Sequence, residues 1–204
     1  MSKIKMIYKG EQLAIFGGGG HARSVIATFL EAVPKSIISV YDDNTSAELK
    51  LAQENIQTNE GGQDKFYKDL KSGIPFFIAI GDNQLRKKIT SHALKYSNKL
   101  VSIVSIKAHV LRPNQIGNGV FIGSNTYIGP NASVGDSTII NAGAIIEHDC
   151  IIGECVHIAP GTVICGGCSI GDLSFLGAGS TVTPNVKISS FSFLKANSLK
   201  SSDI

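Results

Sequence analysis

The chain has 204 residues, 43% of them hydrophobic and 17% charged, a globular composition for one large domain or two small ones that excludes a disordered chain. Nineteen basic against 16 acidic residues leave a formal charge of +3, too balanced for a nucleic-acid footprint, although a basic groove for a phosphorylated ligand stays open. No apolar run approaches the ~20 residues that cross a bilayer, and the start from Met1 to Met6 lacks the apolar core and cleavage site of a signal peptide, so no membrane attachment is expected and the cytoplasm is the expected compartment.

In chain order, Leu13-Ala-Ile-Phe16 reads as a short apolar strand, Gly17 to Gly20 as a loop and His21 to Leu30 as a helix. Ile37 to Tyr41 is a second strand ending at Asp42 and Asp43, and the polar stretch Glu48 to Asp64 an excursion with weak helix. Phe76 to Ile80 is a third strand, followed by Gly81-Asp82-Asn83 and a basic helix near Leu85 to Lys95. This alternation predicts a small Rossmann-like α/β domain with a parallel sheet over residues 1–98, with a linker near Asn98.

Residues 99–204 follow another rule. Stepping by six from Val104, every position through Val110, Ile116, Ile122 and onward to Leu194 is Val, Ile or Leu. The residue after the aliphatic is often Gly (Gly117, Gly123, Gly129), and the fourth residue on is small or β-branched (Thr126, Ala132, Thr138, Cys150). Two inward positions in six predict short parallel strands stacked into a triangular β-prism of about five coils, with the glycine relieving the turn. A β-sandwich would alternate at period two with irregular loops. Cys150, Cys155, Cys165 and Cys168 are expected as four small buried or edge thiols, neither disulfides nor a zinc knuckle.

Gly17-x-Gly19-x-x-Ala22, with acids about twenty residues on, has the form of a dinucleotide fingerprint. Physically it says that backbone N–H groups and a helix N-terminus face an anion, with carboxylates near a ribose or base edge. A phosphate of any nucleotide fits, and so does a glycine turn that merely packs a helix on a strand.

Ile146-Glu147-His148-Asp149-Cys150, the hexapeptide array around it, the Gly17 to His21 loop, Tyr41-Asp42-Asp43 and Ala79-Ile80-Gly81-Asp82-Asn83 together resemble bacterial sugar acetyltransferases built on a left-handed parallel β-helix. The similar branches are the nucleotide-amino-sugar N-acetyltransferases and, beside them, the sialic acid O-acetyltransferases. The resemblance covers nearly the whole chain. It implies a homotrimer, acetyl-CoA held between adjacent prisms, and a nucleotide-linked amino sugar, foremost a UDP-4-amino-sugar, or a sialic-acid-like sugar as acceptor, in surface glycan biosynthesis. Family members usually continue into a short Pro-Ala-Lys-like segment that touches the adenine of CoA; nothing before Ile204 matches it, so that contribution to CoA affinity is not expected.

Acetyl transfer needs a base for the attacking acceptor, and a neutral imidazole has a suitable pKa. His148 is the candidate: it lies between inward Ile146 and Cys150 and so points out of the prism. By family analogy Asp149 orients it, although neighbours on a strand face opposite ways and direct contact requires a turn. His157 also faces out, half a coil away, so the two meet only across a trimer interface; the resemblance sets it at the thioester, where it steadies an oxyanion. Asn141 matches a position in the same groove, and Gly166 and Ala196 match positions whose amides meet the pantetheine arm. Gly19, Gly20, His21, Asp42, Asp43 and Ile80 match the nucleotide-sugar site. A surface histidine at 148 or 157, a turn residue at Asn141 and a helix-capping His21 are the bland alternatives.

Other functions fit less of the sequence. A zinc hydratase on the same prism needs three converging histidines, and His148 and His157 have only distant His109 beside them, so no metal is expected. A nicotinamide-dependent oxidoreductase leaves the prism unexplained, and an inactive scaffold is a milder alternative that stays open.

Overall fold

Strand β1 (Gln12–Phe16) is buried from Leu13 onward because both faces of its sheet are covered. Leu13 and Ile15 face helix α1 (Gly20–Ala32), while Ala14 and Phe16 face the opposite side. The computed structural model describes residues 8, 10–44, 55–59, 61–112 and 114–204. Strand β2 (Ile37–Tyr41) pairs in parallel with β1, and β4 (Phe76–Ile78) joins β1 on its other edge. Part of the polar stretch read as weak helix lies outside the described residues. Of the remainder, Ile56–Asn59 is not helix but an edge strand, β3, parallel to β2. Its residues are half-exposed or exposed, so the alternation that marks a covered strand is missing from its sequence.

Helix does occur at the end of that stretch, where Gly62 opens α2 (Gly62–Leu70), which continues beyond the sequence reading and buries Phe66, Tyr67 and Leu70 with Ile89 and Ala93 of α3 (Asn83–Ala93). The sheet order β3-β2-β1-β4 reverses direction between β1 and β4. The loops after those two strands therefore face one crevice, the usual place for a ligand in such sheets. Among the described residues no helix is long and apolar enough to cross a membrane.

Two residues past Asn98 the chain is already paired, with Leu100 bridging Phe76 and Val101 N–H donating to Phe76 O at 3.0 Å. It then winds into a left-handed parallel β-helix, whose three sheets of two-residue strands hold six, six and five strands among the described residues. The six-residue aliphatic step fills the interior: Ile122, Ile128, Ile140, Ile146, Ile158 and Ile164 are fully buried. At the second inward position several small side chains donate along the stack. Thr138 Oγ1 donates to Gly153 O at 2.8 Å and Ser174 Oγ to Ser189 O at 3.0 Å, and the thiols of Cys150 and Cys168 do the same to Cys165 O and Thr183 O. The four cysteines are free, three buried and Cys165 half-buried; burial raises the pKa of Cys150, Cys155 and Cys168.

The corner glycines act differently from the sequence expectation. Left-handed backbone falls not on the glycine that follows each aliphatic but two residues later, at Asn125, Asn131, Asp149, Asn185 and their equivalents, with φ between 51° and 72°. The glycine after the aliphatic is required by close stacking: a Cβ on Gly171 would lie 2.3 Å from Ser190 N, and one on Gly129 2.7 Å from His148 N. The α1 side of the N-terminal sheet packs on the first prism face through Ile103, Phe121 and Ile139, which belong to the same cluster as Val25, Ile26 and Phe29.

Candidate active site

The glycine loop is shaped by its neighbours. Gly17 has φ +115°, and a Cβ there would sit 2.6 Å from Ala79 O, so only glycine lets the β1 and β4 loops touch. Gly19 precedes α1 in extended conformation with no side-chain cap and no acid in the first turn, leaving the exposed Gly19–Gly20 backbone at a positive helix end. Asp42 and Asp43 already have local partners. One Asp42 oxygen accepts from Gly18 N–H and the other from Asn44 N–H, bracing the loop. Asp43 accepts from Gln63 N–H at 2.8 Å and from the Gln63 side chain, capping the start of α2. Any contact of these acids with a base or ribose is additional to those bonds.

His21 does not cap α1. Its ring meets Phe121 edge-on at 5.1 Å, and its Nε2 is buried without a partner among the described residues. Burial first, then electrostatic coupling to His157 and to the Arg86 cation, push its pKa down to about 3, so the ring is neutral. Ile80 contributes a backbone oxygen to the same junction, accepting from Arg86 at 2.9 Å.

His157 lies on the prism face that the N-terminal domain partly covers. Its Nδ1 donates to Gly81 O at 3.1 Å, and its Nε2 accepts from Asn141 Nδ2 at 2.8 Å. Burial and, less strongly, Arg86 lower its pKa against the opposing effect of the Gly81 bond. In this arrangement the ring has no N–H left over, so direct donation to a thioester oxygen requires His157 to release one partner. Asn141 keeps a second N–H. A cleft of about 480 Å³ opens beside His157, between the start of α3 and the stacked rings of Phe175 and Phe193. A larger cleft of about 800 Å³ between α2 and α3, lined by four lysines and two tyrosines, shares no residue with it.

His148 is at a prism corner on a different edge, exposed. Its Nδ1 is 2.7 Å from Asp149 Oδ2, and Asp149 also accepts from Asn131 at 3.0 Å. These two hydrogen bonds hold the Asp149 carboxyl below the usual range. The ring lies over the next corner, where a Cβ on Gly166 would be 2.6 Å from Nε2. The glycine thus makes room for the imidazole, a local reason for Gly166 in addition to any amide contact. Ala196 is exposed on the same edge as Asn141, further along the stack and above Gly177. One chain therefore joins His148 with Asp149 and Gly166, and separately His21, Ile80, Asn141 and His157. His109 is exposed near the prism base, and among the described residues no group of three metal-donor side chains forms.

The residue missed by sequence reasoning is Arg86, 1% exposed and bonded to both domains. It was visible only as one cation of a basic helix.

Residues 12–93 match the model of the PglD N-terminal domain, and residues 115–148 and 149–184 that of the bacterial transferase hexapeptide (six repeats). Among solved structures, a histidine-to-asparagine mutant of perosamine N-acetyltransferase from Caulobacter crescentus, in complex with CoA and GDP-perosamine, is 31% identical with a TM-score of 0.85, covering 95% of this chain and 90% of that one. The acetyltransferase domain of PglB from Neisseria gonorrhoeae FA1090, in complex with acetyl coenzyme A, is 26% identical with a TM-score of 0.84, covering 95% and 92%. WeeI from Acinetobacter baumannii AYE, 18% identical with a TM-score of 0.64, shares the fold.

Proposed function

The chain belongs to the hexapeptide-repeat family of bacterial sugar acetyltransferases and is an acetyltransferase, and from that premise we propose that it transfers the acetyl group of acetyl-CoA to the amine of a nucleotide-linked 4-amino sugar in the cytoplasm. The observation that carries this reading is the exposed His148 ring whose Nδ1 is engaged by Asp149, leaving Nε2 as the nitrogen that faces an acceptor. With Nδ1–H donated to the carboxylate, Nε2 bears the lone pair of a general base. The neutral sugar amine attacks the thioester carbonyl as Nε2 takes an amine proton. Collapse of the tetrahedral intermediate breaks the C–S bond, and the imidazolium returns its proton to the CoA thiolate.

A homotrimer supports this chemistry, because His148 and the His157–Asn141 pair lie on different edges of one prism and meet only across an interface between copies. Asn141 then has an N–H for the developing oxyanion, while His157 orients it. Gly166 and Ala196 line the way for the pantetheine arm. The N-terminal crevice takes the nucleotide: the Gly19 and Gly20 end of α1 meets a diphosphate, neutral His21 lies beside it, and Asp42, Asp43 and Ile80 border the base and ribose. A UDP-sugar is the first choice; the GDP-perosamine held by the Caulobacter relative makes a GDP-sugar the next.

The test is CoA release and acceptor mass with acetyl-CoA and a panel of UDP- and GDP-4-amino sugars and free sialic acids. Acetylation of a nucleotide-linked amine is the expected result. Turnover of a sialic acid hydroxyl alone moves the assignment to O-acetylation.

A further inference from the structure

Arg86 plays no part in the chemistry above, yet it is among the largest fully buried side chains of the protein. A buried guanidinium ordinarily has a carboxylate partner. Arg86 instead spends its donors on neutral oxygens from three places. Nη1 donates to Ile80 O at 2.9 Å and Gly81 O at 3.0 Å in the loop after β4. Nε donates to Ser137 O at 2.7 Å and Nη2 to Cys155 O at 2.9 Å, stacked one coil apart on one prism edge. Nη2 also reaches Asn83 Oδ1 at 2.6 Å, and Asn83 in turn donates to Leu173 O and Ser174 O, each at 3.0 Å. A planar fork of five N–H groups spans these directions at once; a lysine ammonium does not.

The oxygen that Arg86 shares is the informative one. Gly81 O accepts from both Arg86 Nη1 and His157 Nδ1. A carbonyl only accepts, so His157 carries its proton on Nδ1, and the neutral ring presents a bare Nε2 to the Asn141 amide. Without Gly81 O in that place, an imidazole is free to take the Nε2–H form, which repels the Asn141 N–H and turns the carboxamide over.

We propose that Arg86 is a positioning residue for acetyl transfer: by fixing Gly81 O against the prism it selects the Nδ1–H tautomer of His157 and, through it, the orientation of the Asn141 carboxamide. This rests on the reading that Asn141 faces the thioester. It also makes the seating of the acceptor domain a condition for an ordered acyl site, since the same guanidinium holds both.

Long-range proton–nitrogen spectra of protein labelled with 15N-histidine read the tautomer directly, with the His157 signals assigned by their loss in His157→Gln. In the wild type Nδ1 must be protonated. In Arg86→Lys the ring shifts toward Nε2–H, kcat falls about tenfold or more, and KM for acetyl-CoA changes little. A wild-type ring protonated on Nε2 overturns the proposal without any variant. So does a folded Arg86→Lys protein that keeps Nδ1–H, or one that changes tautomer with kcat unaltered. If the lysine variant does not fold, Asn83→Ala, which leaves the guanidinium but removes its 2.6 Å contact, must move the tautomer in the same direction; no movement rejects the idea. The spectra need no substrate, so a failure of the wild type to acetylate amino sugars counts against the functional reading separately.

Discussion

Asp149 Oδ2 lies 2.7 Å from Nδ1 of its sequence neighbour His148, a contact that an extended strand forbids because adjacent side chains point to opposite faces. It forms because Asp149 occupies the left-handed corner position at φ 60°, which swings its carboxylate back toward the preceding residue. Asn tolerates the same backbone, so Asp149→Asn separates charge from corner geometry. We expect it to melt like the wild type and to lose about 10- to 100-fold in kcat, while His148→Ala loses about 100-fold or more with acetyl-CoA binding retained. Steady-state kinetics with calorimetric binding of CoA checks both, and undiminished turnover of His148→Ala removes it as the base.

Gly166→Ala places a methyl group 2.6 Å from His148 Nε2. The imidazole is exposed and moves aside cheaply, so stability changes by less than about 1 kcal/mol. The displaced base loses about tenfold or more in kcat. A variant with normal kcat would show that the ring position over Gly166 is immaterial to catalysis.

Two kinds of corner glycine respond differently to alanine. Gly143 has φ +69° with nothing within 4 Å of a new Cβ, so Gly143→Ala costs only the left-handed strain, about 1 kcal/mol. Gly171 has ordinary φ but would drive a Cβ to 2.3 Å from Ser190 N, and the stacked backbone must part, at about 2–4 kcal/mol. Urea melts rank the two; equal costs refute the assignment of close stacking to Gly171.

If the site is shared between chains, two dead proteins repair each other. His148→Ala and Asn141→Ala homotrimers, unfolded together and refolded, should regain activity at about a quarter of the interfaces, those that pair an intact His148 with an intact Asn141. No recovery in verified mixed trimers would place both residues in one chain's site.

The domain junction carries a pH dependence. Unfolded, His21 titrates near 6.5; folded, it stays neutral down to about 3. Between those values the unfolded state binds the extra proton, so this contribution to stability is complete above about pH 6.5 and declines as pH falls toward 3, with roughly 2 kcal/mol gone by pH 5. His157 adds in the same direction. His21→Gln should flatten the dependence of melting temperature on pH between 6.5 and 4.5; an unchanged slope would mean that His21 is not buried in solution.

The prism was legible in the sequence because its rule is local. Each aliphatic six residues after the last faces the same interior whatever the remainder of the chain does, and an outward histidine between Ile146 and Cys150 follows from the same count. The strands at Leu13 and Ile37, buried by covers on both sides of the sheet, were legible as apolar runs. The polar edge strand Ile56–Asn59 was not, since none of its four residues is fully buried and neither face therefore demands an apolar series, and α2 beyond Asp64 went unread behind it. Only the tertiary structure decided that Arg86 joins the two domains through oxygens 51 and 69 residues away, that His21 and His157 share one buried junction, and that Asp42 and Asp43 are already engaged by Gly18 and Gln63. Such contacts depend on backbone groups that every residue type carries, so no side-chain pattern announces them. Where a carbonyl stands is settled by packing of the whole chain.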